Sequence, residues 1–502
     1  MSAPVLLRIH ADDDVAVATR AISAGEVVDG LRIREDIARG HKVALRAIAA
    51  GVGVRKFAHL IGVASRTIDA GAHVHTHNLA MPEAHVEHVP QARRRAPVDT
   101  MPVPRSFMGY PREDGRIGTR NYIGILTSVN CSATVARQIA RRFAPEKLPA
   151  TIDGVVALTH STGCGMAHEG EAIDVLRRTL AGYARHPNFG GVLIVGLGCE
   201  VNQIPALFAH AGLQPGPRLR TLGIQDSGGT LAAIERGVAE VQALIAIAAQ
   251  DRRATTAASA LALGLQCGAS DAWSALSANP ALGAAADRLI EQGATVLLSE
   301  TPEIYGAEDL LLERATGPEV VDALRARLRW WEAYAERNGT DLDNNPSPGN
   351  LAGGITTILE KSLGAVAKSG SAALVDVIDY AQAIRRPGLA FMDSPGYDPC
   401  SATGQIASGC NLLAFTTGRG AVFGAVPTPS LKLATNTELA QRMGDDIDID
   451  CGGVLRGEAT VDAMGDVIFE RLLALASGEA SVSERLGFGE AEFVPWRLGA
   501  VM

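Results

Sequence analysis

Four cysteines occupy equivalent places in the chain. Cys131, Cys164, Cys199 and Cys267 each stand a few residues beyond a short apolar run rich in β-branched residues. Such runs read as parallel strands, and open α/β sheets bind ligands at the loops beyond their strands' carboxyl ends. A thiol beside a helix start there is biased toward thiolate, the form that ligates metal or attacks. Polar groups gather near these thiols. His160 lies in Thr-His-Ser-Thr-Gly-Cys-Gly, Glu200 and Gln203 follow Cys199, Ser270 and Asp271 follow Cys267, and Glu300 and Glu303 share Ser-Glu-Thr-Pro-Glu. Imidazole, carboxylate and thiolate together suit a divalent transition metal, and a carboxylate or imidazole left free can move a proton. Singly, each has an ordinary explanation, a free cysteine as a small buried hydrophobe and an acid as a helix cap. The repeated placement favours a site. No Cys-x-x-Cys occurs, so spacing alone does not separate a metal ion from a three-cysteine iron–sulfur cluster.

Histidines concentrate near the start: His10, His41, His73, His75 and His77. In a strand, His75 and His77 would share one face and could bind metal or substrate; the alternative is a pair of exposed loop residues. His10 precedes an Asp-Asp-Asp run, and His41 sits in a Gly-His-Lys turn. Cations suited to an acidic ligand are Arg419 in Gly-Arg-Gly, Lys432, Lys361 and Arg120; a guanidinium grips a carboxylate in bidentate fashion. Asn345 and Asn350, in Asn-Pro-Ser-Pro-Gly-Asn, either contact hydroxyls or satisfy their own turn.

These residues need elements to hold them. At 502 residues the chain exceeds one ordinary core. Residues 1–80 show short strand-like segments (5–9, 15–19, 43–48 and 52–56) punctuated by glycine, which predicts a small all-β module. Residues 81–105 carry five prolines and no hydrophobic period, the composition of an extended linker. From residue 106 the pattern changes. A hairpin tip at 112–116 is followed by apolar runs at 122–129, 154–158, 192–197, 261–265 and 295–298, each leading into a helix-period segment. Further runs lie at 373–378, 389–392, 412–415 and 431–434. The whole therefore reads as α/β, a large region with mainly parallel sheets divided into two domains, 106–252 and 253–502.

Composition narrows the ligand. A net charge of -9, with no basic run longer than three arginines, argues against nucleic acid or an anionic membrane as main partner. No apolar stretch is long enough to cross a bilayer, the start does not read as a signal peptide, and seven cysteines fit a reducing compartment, so the expectation is cytoplasmic.

Taken in order, Gly-Thr-Arg-Asn (118–121), His-Ser-Thr-Gly-Cys-Gly (160–165), Gly-Leu-Gly-Cys-Glu-Val-Asn-Gln (196–203), Gly-Leu-Gln-Cys-Gly-Ala-Ser-Asp (264–271), Ser-Glu-Thr-Pro-Glu (299–303), Asn-Pro-Ser-Pro-Gly-Asn (345–350) and Thr-Thr-Gly-Arg-Gly (416–420) resemble the altronate/galactarate dehydratase family. Residues 9–18 and 39–45 resemble that family's SAF domain, a small β-clip fold. The resemblance implies a hydro-lyase that removes water from a sugar acid to give a 2-keto-3-deoxy acid. It also implies help from a divalent metal, typically iron(II) or manganese(II). On this reading Cys131, Cys164, Cys199, Cys267, His75 and His77 are metal candidates. His10, His41, His160, Glu200 and Glu300 are proton-transfer candidates. Arg120, Gln203, Ser270, Asp271, Asn345, Asn350, Arg419 and Lys432 are substrate contacts. A homo-oligomer is expected. Rival readings are a non-catalytic sugar-acid sensor and an iron–sulfur Lewis acid. Two positions depart from the family pattern: Ala269 replaces a glycine, and Leu351 stands where a lysine usually follows Pro-Gly-Asn. A related sulfo-lyase branch divides the SAF and catalytic parts between two chains, and the fused chain leans away from it.

Overall fold

The structure is a computed structural model that describes residues 4–82 and 103–501. Most of the expected linker therefore lies outside the described residues.

The amino-terminal module is built from short antiparallel strands. Leu6–Leu7, Val15–Ala18, Lys42–Ala44 and His73–Val74 form one sheet in that order, and Gly53–Lys56, His59–Ala64 and Leu79–Ala80 form another. Strands this short bury little by themselves. Val15, Ala44, Val54 and Ile61 instead join a core shared with Leu363 and Val366 of the carboxyl-terminal region, so the module is packed against that region. The strand containing His73 stops at Val74, and a turn follows in which Asn78 Oδ1 accepts from the His75 amide. The expected strand face shared by His75 and His77 is thus replaced by a turn, because the Asn side chain offers the backbone a local partner.

The hairpin at 112–116 is present: Ser106–Pro111 pairs antiparallel with Ile117–Gly118, and Gly115 takes the positive φ of 84° that its turn requires. Beyond it, β1 (Tyr122–Thr127), β2 (Gly154–Leu158), β3 (Phe189–Gly196) and β4 (Leu219–Gly223) form a parallel sheet in the order β2-β1-β3-β4. Every residue of β3 is buried, as expected of a strand covered on both faces. Helices α1 (Glu171–Ala184) and α2 (Thr230–Ala248) pack on this sheet.

The second sheet is larger and also parallel: β5 (Ala262–Gly268), β6 (Thr295–Ser299), β7 (Leu374–Ile378), β8 (Gly388–Met392), β9 (Leu412–Thr417), β10 (Ser430–Ala434) and β11 (Ile449–Asp450), in the order β7-β8-β6-β5-β9-β10-β11. β5 has β6 on one side and β9 on the other, which makes its carboxyl end a topological switch point, the usual place for a ligand crevice. Helices α3 (Ala278–Glu291), α4 (Ile358–Ala367), α5 (Asp398–Ser408) and α6 (Val461–Ala476) surround it. The amino ends of the two sheets are stitched together: Thr119 Oγ1 donates to the Asn411 carbonyl, and His186 Nε2 lies 3.0 Å from the Cys410 carbonyl.

A candidate active site at the switch point of the larger sheet

At the carboxyl end of β5, Cys267 is buried, with the Lys368 ammonium donating to its sulfur at 2.9 Å. Burial pushes the thiol up to about 11, although Lys368 works against this. The bias toward thiolate expected at a strand end is therefore overruled by desolvation. Next to β5, the end of β6 delivers Glu300 and Glu303. Glu300 holds a φ of 75°, rare for a non-glycine residue. Its side chain is buried, and neither carboxylate oxygen has a hydrogen-bond partner among the described residues. Burial, then the charges of Glu303 and Asp398, raise its pKa well above the ordinary carboxylate value. An unpartnered buried carboxylate is expensive, so its persistence calls for a proton or a cation.

The surrounding groups divide by charge. Burial would raise Glu303, but Lys361 and Lys368 hold it below the usual carboxylate range; Lys361 Nζ lies 2.8 Å from Glu303 Oε1 and 2.6 Å from Asn345 Oδ1. Asp398, at the start of α5, is pushed up to about 7 by burial and then by Glu303. It sits against Gly268, where an added Cβ would come within 2.5 Å of its Oδ2; glycine is what lets the acid approach the strand. Three carboxyl groups and a thiol thus face two ammonium groups. Cys267, Glu300 and Glu303 each offer a ligand atom, and these atoms lie within 4.8 Å of one another. Two carboxyl groups and a thiol with donor atoms this close, and with the Glu300 carboxyl unpartnered, fit a divalent transition cation that would displace their protons.

A second group lies on the amino-terminal module. His41 Nδ1 is 2.9 Å from His73 Nε2, and the His75 ring stacks on His41 with centroids 5.1 Å apart. Burial lowers His73 to about 3 and also depresses His41 and His75, which keeps these rings neutral at pH 7. Glu35, His73 and His77 form the other set of three donor atoms within 4.8 Å, although Glu35 and His77 are exposed. The two groups are linked by one segment. His75 Nε2 lies 3.0 Å from the Leu351 carbonyl and His41 Nε2 3.3 Å from that of Ala352, while Asn345 of the same segment reaches Lys361. The segment from Asn345 to Ala352, which ends in the short helix Pro348–Ala352, therefore touches both groups. Arg419 is exposed at this segment, its Nε 3.9 Å from where a Cβ on Gly349 would lie, and no side-chain partner among the described residues holds its guanidinium.

The other expected site residues have structural partners. Arg120 grips Glu484 in bidentate fashion at the amino end of β1, away from every strand-end loop. Lys432 is buried on β10 beside Asp446 and the Phe488 ring. Asp271, raised by burial to about 6, accepts hydrogen bonds from the amides of Trp273 and Ser274 and from Asn436 Nδ2. Asn350 closes a capping box with Ser347 and donates to the Ser270 carbonyl. His10 turns back on its own loop, its Nδ1 accepting from the Asp12 amide. Around the smaller sheet, Glu200 accepts from Ser128 Oγ and the Leu197 and Gly198 amides, Gln203 Nε2 donates to the Gly198 carbonyl, and buried His160 lies between Thr127 and Thr162. Cys131, Cys164 and Cys199 are exposed on that sheet and are not in the group formed by Cys267. Lys368 and Asp398 were not singled out by the sequence; Lys361 and Lys368, seven residues apart along α4 and its end, carried the one available signal, a shared helix face.

Ala269 takes a φ of 50°, the left-handed region in which glycine is free of strain, and its carbonyl accepts from the Gly418 and Arg419 amides. The alanine thus holds a backbone conformation that favours glycine.

Comparison with known proteins follows the same division of the chain. Residues 4–82 match the altronate/galactarate dehydratase SAF domain, residues 109–249 the second domain of D-galactarate dehydratase/altronate hydrolase, and residues 258–501 the D-galactarate/altronate dehydratase carboxyl-terminal domain. An altronate dehydratase of Escherichia coli is 36% identical over 96% of this chain and 97% of its own length. The L-threo-forming galactarate dehydratase of Escherichia coli is 37% identical over 94% of this chain and 93% of its own. The (2R)-sulfolactate sulfo-lyase subunit beta of Chromohalobacter salexigens is 34% identical over 78% of this chain and 98% of its own. No helix among the described residues is long and apolar enough to cross a membrane.

Proposed function

The chain belongs to the altronate/galactarate dehydratase family and is a hydro-lyase; from that premise we propose that it dehydrates an aldonate or aldarate to a 2-keto-3-deoxy acid with a divalent metal, iron(II) or manganese(II), held by Cys267, Glu300 and Glu303. The observation that carries this reading is the Glu300 carboxylate, buried with both oxygens unpartnered beside two further ligand atoms. The reaction has two difficulties. The proton beside a carboxylate is weakly acidic, and hydroxide leaves poorly. When bound, a divalent cation supplies stabilisation for the charge that develops on the substrate oxygens.

The chain's own groups do the rest. Arg419 pairs with a substrate carboxylate, fixing which carbon faces the acids. Neutral His41 points the Nε2 hydrogen at the Ala352 carbonyl, so Nδ1, 2.9 Å from His73 Nε2, is the nitrogen that accepts the proton from the carbon beside the carboxylate once substrate takes the place of His73; a ring kept neutral by burial is available as a base at pH 7. Asp398, its pKa raised to about 7, is protonated in about half the molecules at pH 7, and that form donates its proton to the departing hydroxyl. Lys361 and Lys368 keep Glu303 ionised and the buried charge close to balance. The enol that forms tautomerises to the 2-keto product. A panel of aldonates and aldarates, assayed for 2-keto-3-deoxy acid with and without added iron(II), tests the assignment: product from one or more members only with metal is expected. Absence of product from every member would favour a sensor.

A further inference from the structure

Free cysteines are among the most buried residues, and Cys267, Cys400, Cys410 and Cys451 follow that rule. Cys131, Cys164 and Cys199 break it together: all three are exposed. They follow β1, β2 and β3, three neighbouring strands of the smaller parallel sheet whose ends are level, with Leu126 opposite Leu158 and Thr127 opposite Val195. The loops that carry them are tied to one another. The Asn130 amide donates to the Thr162 carbonyl, the Asn202 amide donates to the Gly163 carbonyl, and Asn202 Nδ2 donates to the Ser128 carbonyl. Gly163 presses so closely on the first loop that a Cβ there would lie 2.3 Å from the Ser128 carbonyl oxygen. Each cysteine therefore stands one to three residues from a bond that fixes its loop to a neighbouring loop. The groups expected to do chemistry beside them, His160 and Glu200, are spent on this stitching.

We propose that Cys131, Cys164 and Cys199 together ligate an iron–sulfur cluster on the smaller sheet, a centre separate from Cys267, Glu300 and Glu303. The two outer strands, β2 and β3, are about two strand spacings apart, roughly 10 Å. β1 lies between β2 and β3, so the three loops emerge side by side at one edge of the sheet, and thiols on three adjacent loops suit a polynuclear cluster that bridges them, whose thiolate sulfurs stand farther apart than those on one ion. A helix begins at Ala133, two residues past Cys131, so its first amides favour a thiolate there. Three thiolates leave one iron of a four-iron cluster without a protein sulfur, open to an oxygen ligand.

The test uses the full chain, prepared anaerobically and incubated with ferrous iron and sulfide, then freed of excess reagent. About four iron and as many acid-labile sulfides per chain, with broad visible absorption, are expected. Cys131→Ser, Cys164→Ser and Cys199→Ser should each lower labile sulfide at least about tenfold, with the thermal melt before loading unchanged, since all three residues are exposed. Cys267→Ser should retain the sulfide, which separates this centre from the one proposed for catalysis. No labile sulfide in the intact chain, or equal sulfide in the triple serine variant, overturns the proposal.

Discussion

The Lys42 ammonium of the amino-terminal module lies 2.8 Å from the Glu360 carboxylate of α4, and both side chains are shut off from water. Lys56 of the module reaches the other Glu360 oxygen at 2.7 Å, and Lys42 also donates to the Gly354 carbonyl. Glu360 is thus held well below the ordinary carboxylate range against the effect of its own burial. One acid joins the histidine-bearing module to the segment on which His41 and His75 rest. Glu360→Gln leaves two buried ammonium groups without an anion and should cost about 3–5 kcal/mol. Denaturant unfolding of the two proteins measures this; a loss below about 1 kcal/mol would mean that water or a rearranged partner replaces the pair.

The Arg419 guanidinium has no partner among the described residues, so its removal should be felt by the substrate before the fold. Arg419→Ala is expected to raise KM roughly ten- to a hundredfold, the loss of one charge-assisted contact, with a much smaller change in the melting temperature. Steady-state kinetics on the best substrate of the panel reads it. An unchanged KM places the substrate carboxylate elsewhere.

The strand-end placement of the four cysteines was legible because hydrophobic runs and glycine turns are local signals. Their division was not. Cys267 lies on a second sheet, and chain order does not say which strands share a sheet. Arg120 and Lys432 read as ligand cations from residue type alone, yet Glu484 and Asp446, distant in sequence, engage them. Asp398 stands in no charged motif; only the close approach allowed by Gly268 brings it to the site. Glu300 was visible as an acid after a strand, whereas its unpartnered state depends on what the fold withholds from it.

His41→Gln removes the ring proposed as base while keeping a polar group that can meet the Ala352 carbonyl. Turnover should fall on the order of 10²- to 10⁴-fold with bound metal unchanged. Metal analysis beside kcat distinguishes this from loss of the centre, and a kcat within a factor of three of the parent assigns the base to another group.

Acid should loosen the joint between the two sheets. His186 is buried at that joint, and burial lowers its pKa to about 3 from 6.5. Between those values the unfolded chain binds a proton that the folded chain does not. Stability from this group is therefore complete above pH 6.5 and declines as the pH falls toward 3, by roughly 3–5 kcal/mol in all. Thermal melts from pH 7 to pH 4 should fall less steeply for His186→Asn than for the parent, and parallel curves would show that His186 does not set the slope.

The account turns on Glu300. The direct measurement pairs bound divalent metal with formation of 2-keto-3-deoxy acid, in the intact chain and in Glu300→Gln, each loaded anaerobically with iron(II). The expected result is joint loss: at least about tenfold less metal retained and turnover reduced on the order of 10³-fold, with a folded variant whose melt no longer responds to the ion. Glu300→Gln that keeps both the metal and the turnover of the parent contradicts the assignment of this carboxylate as the heart of the site.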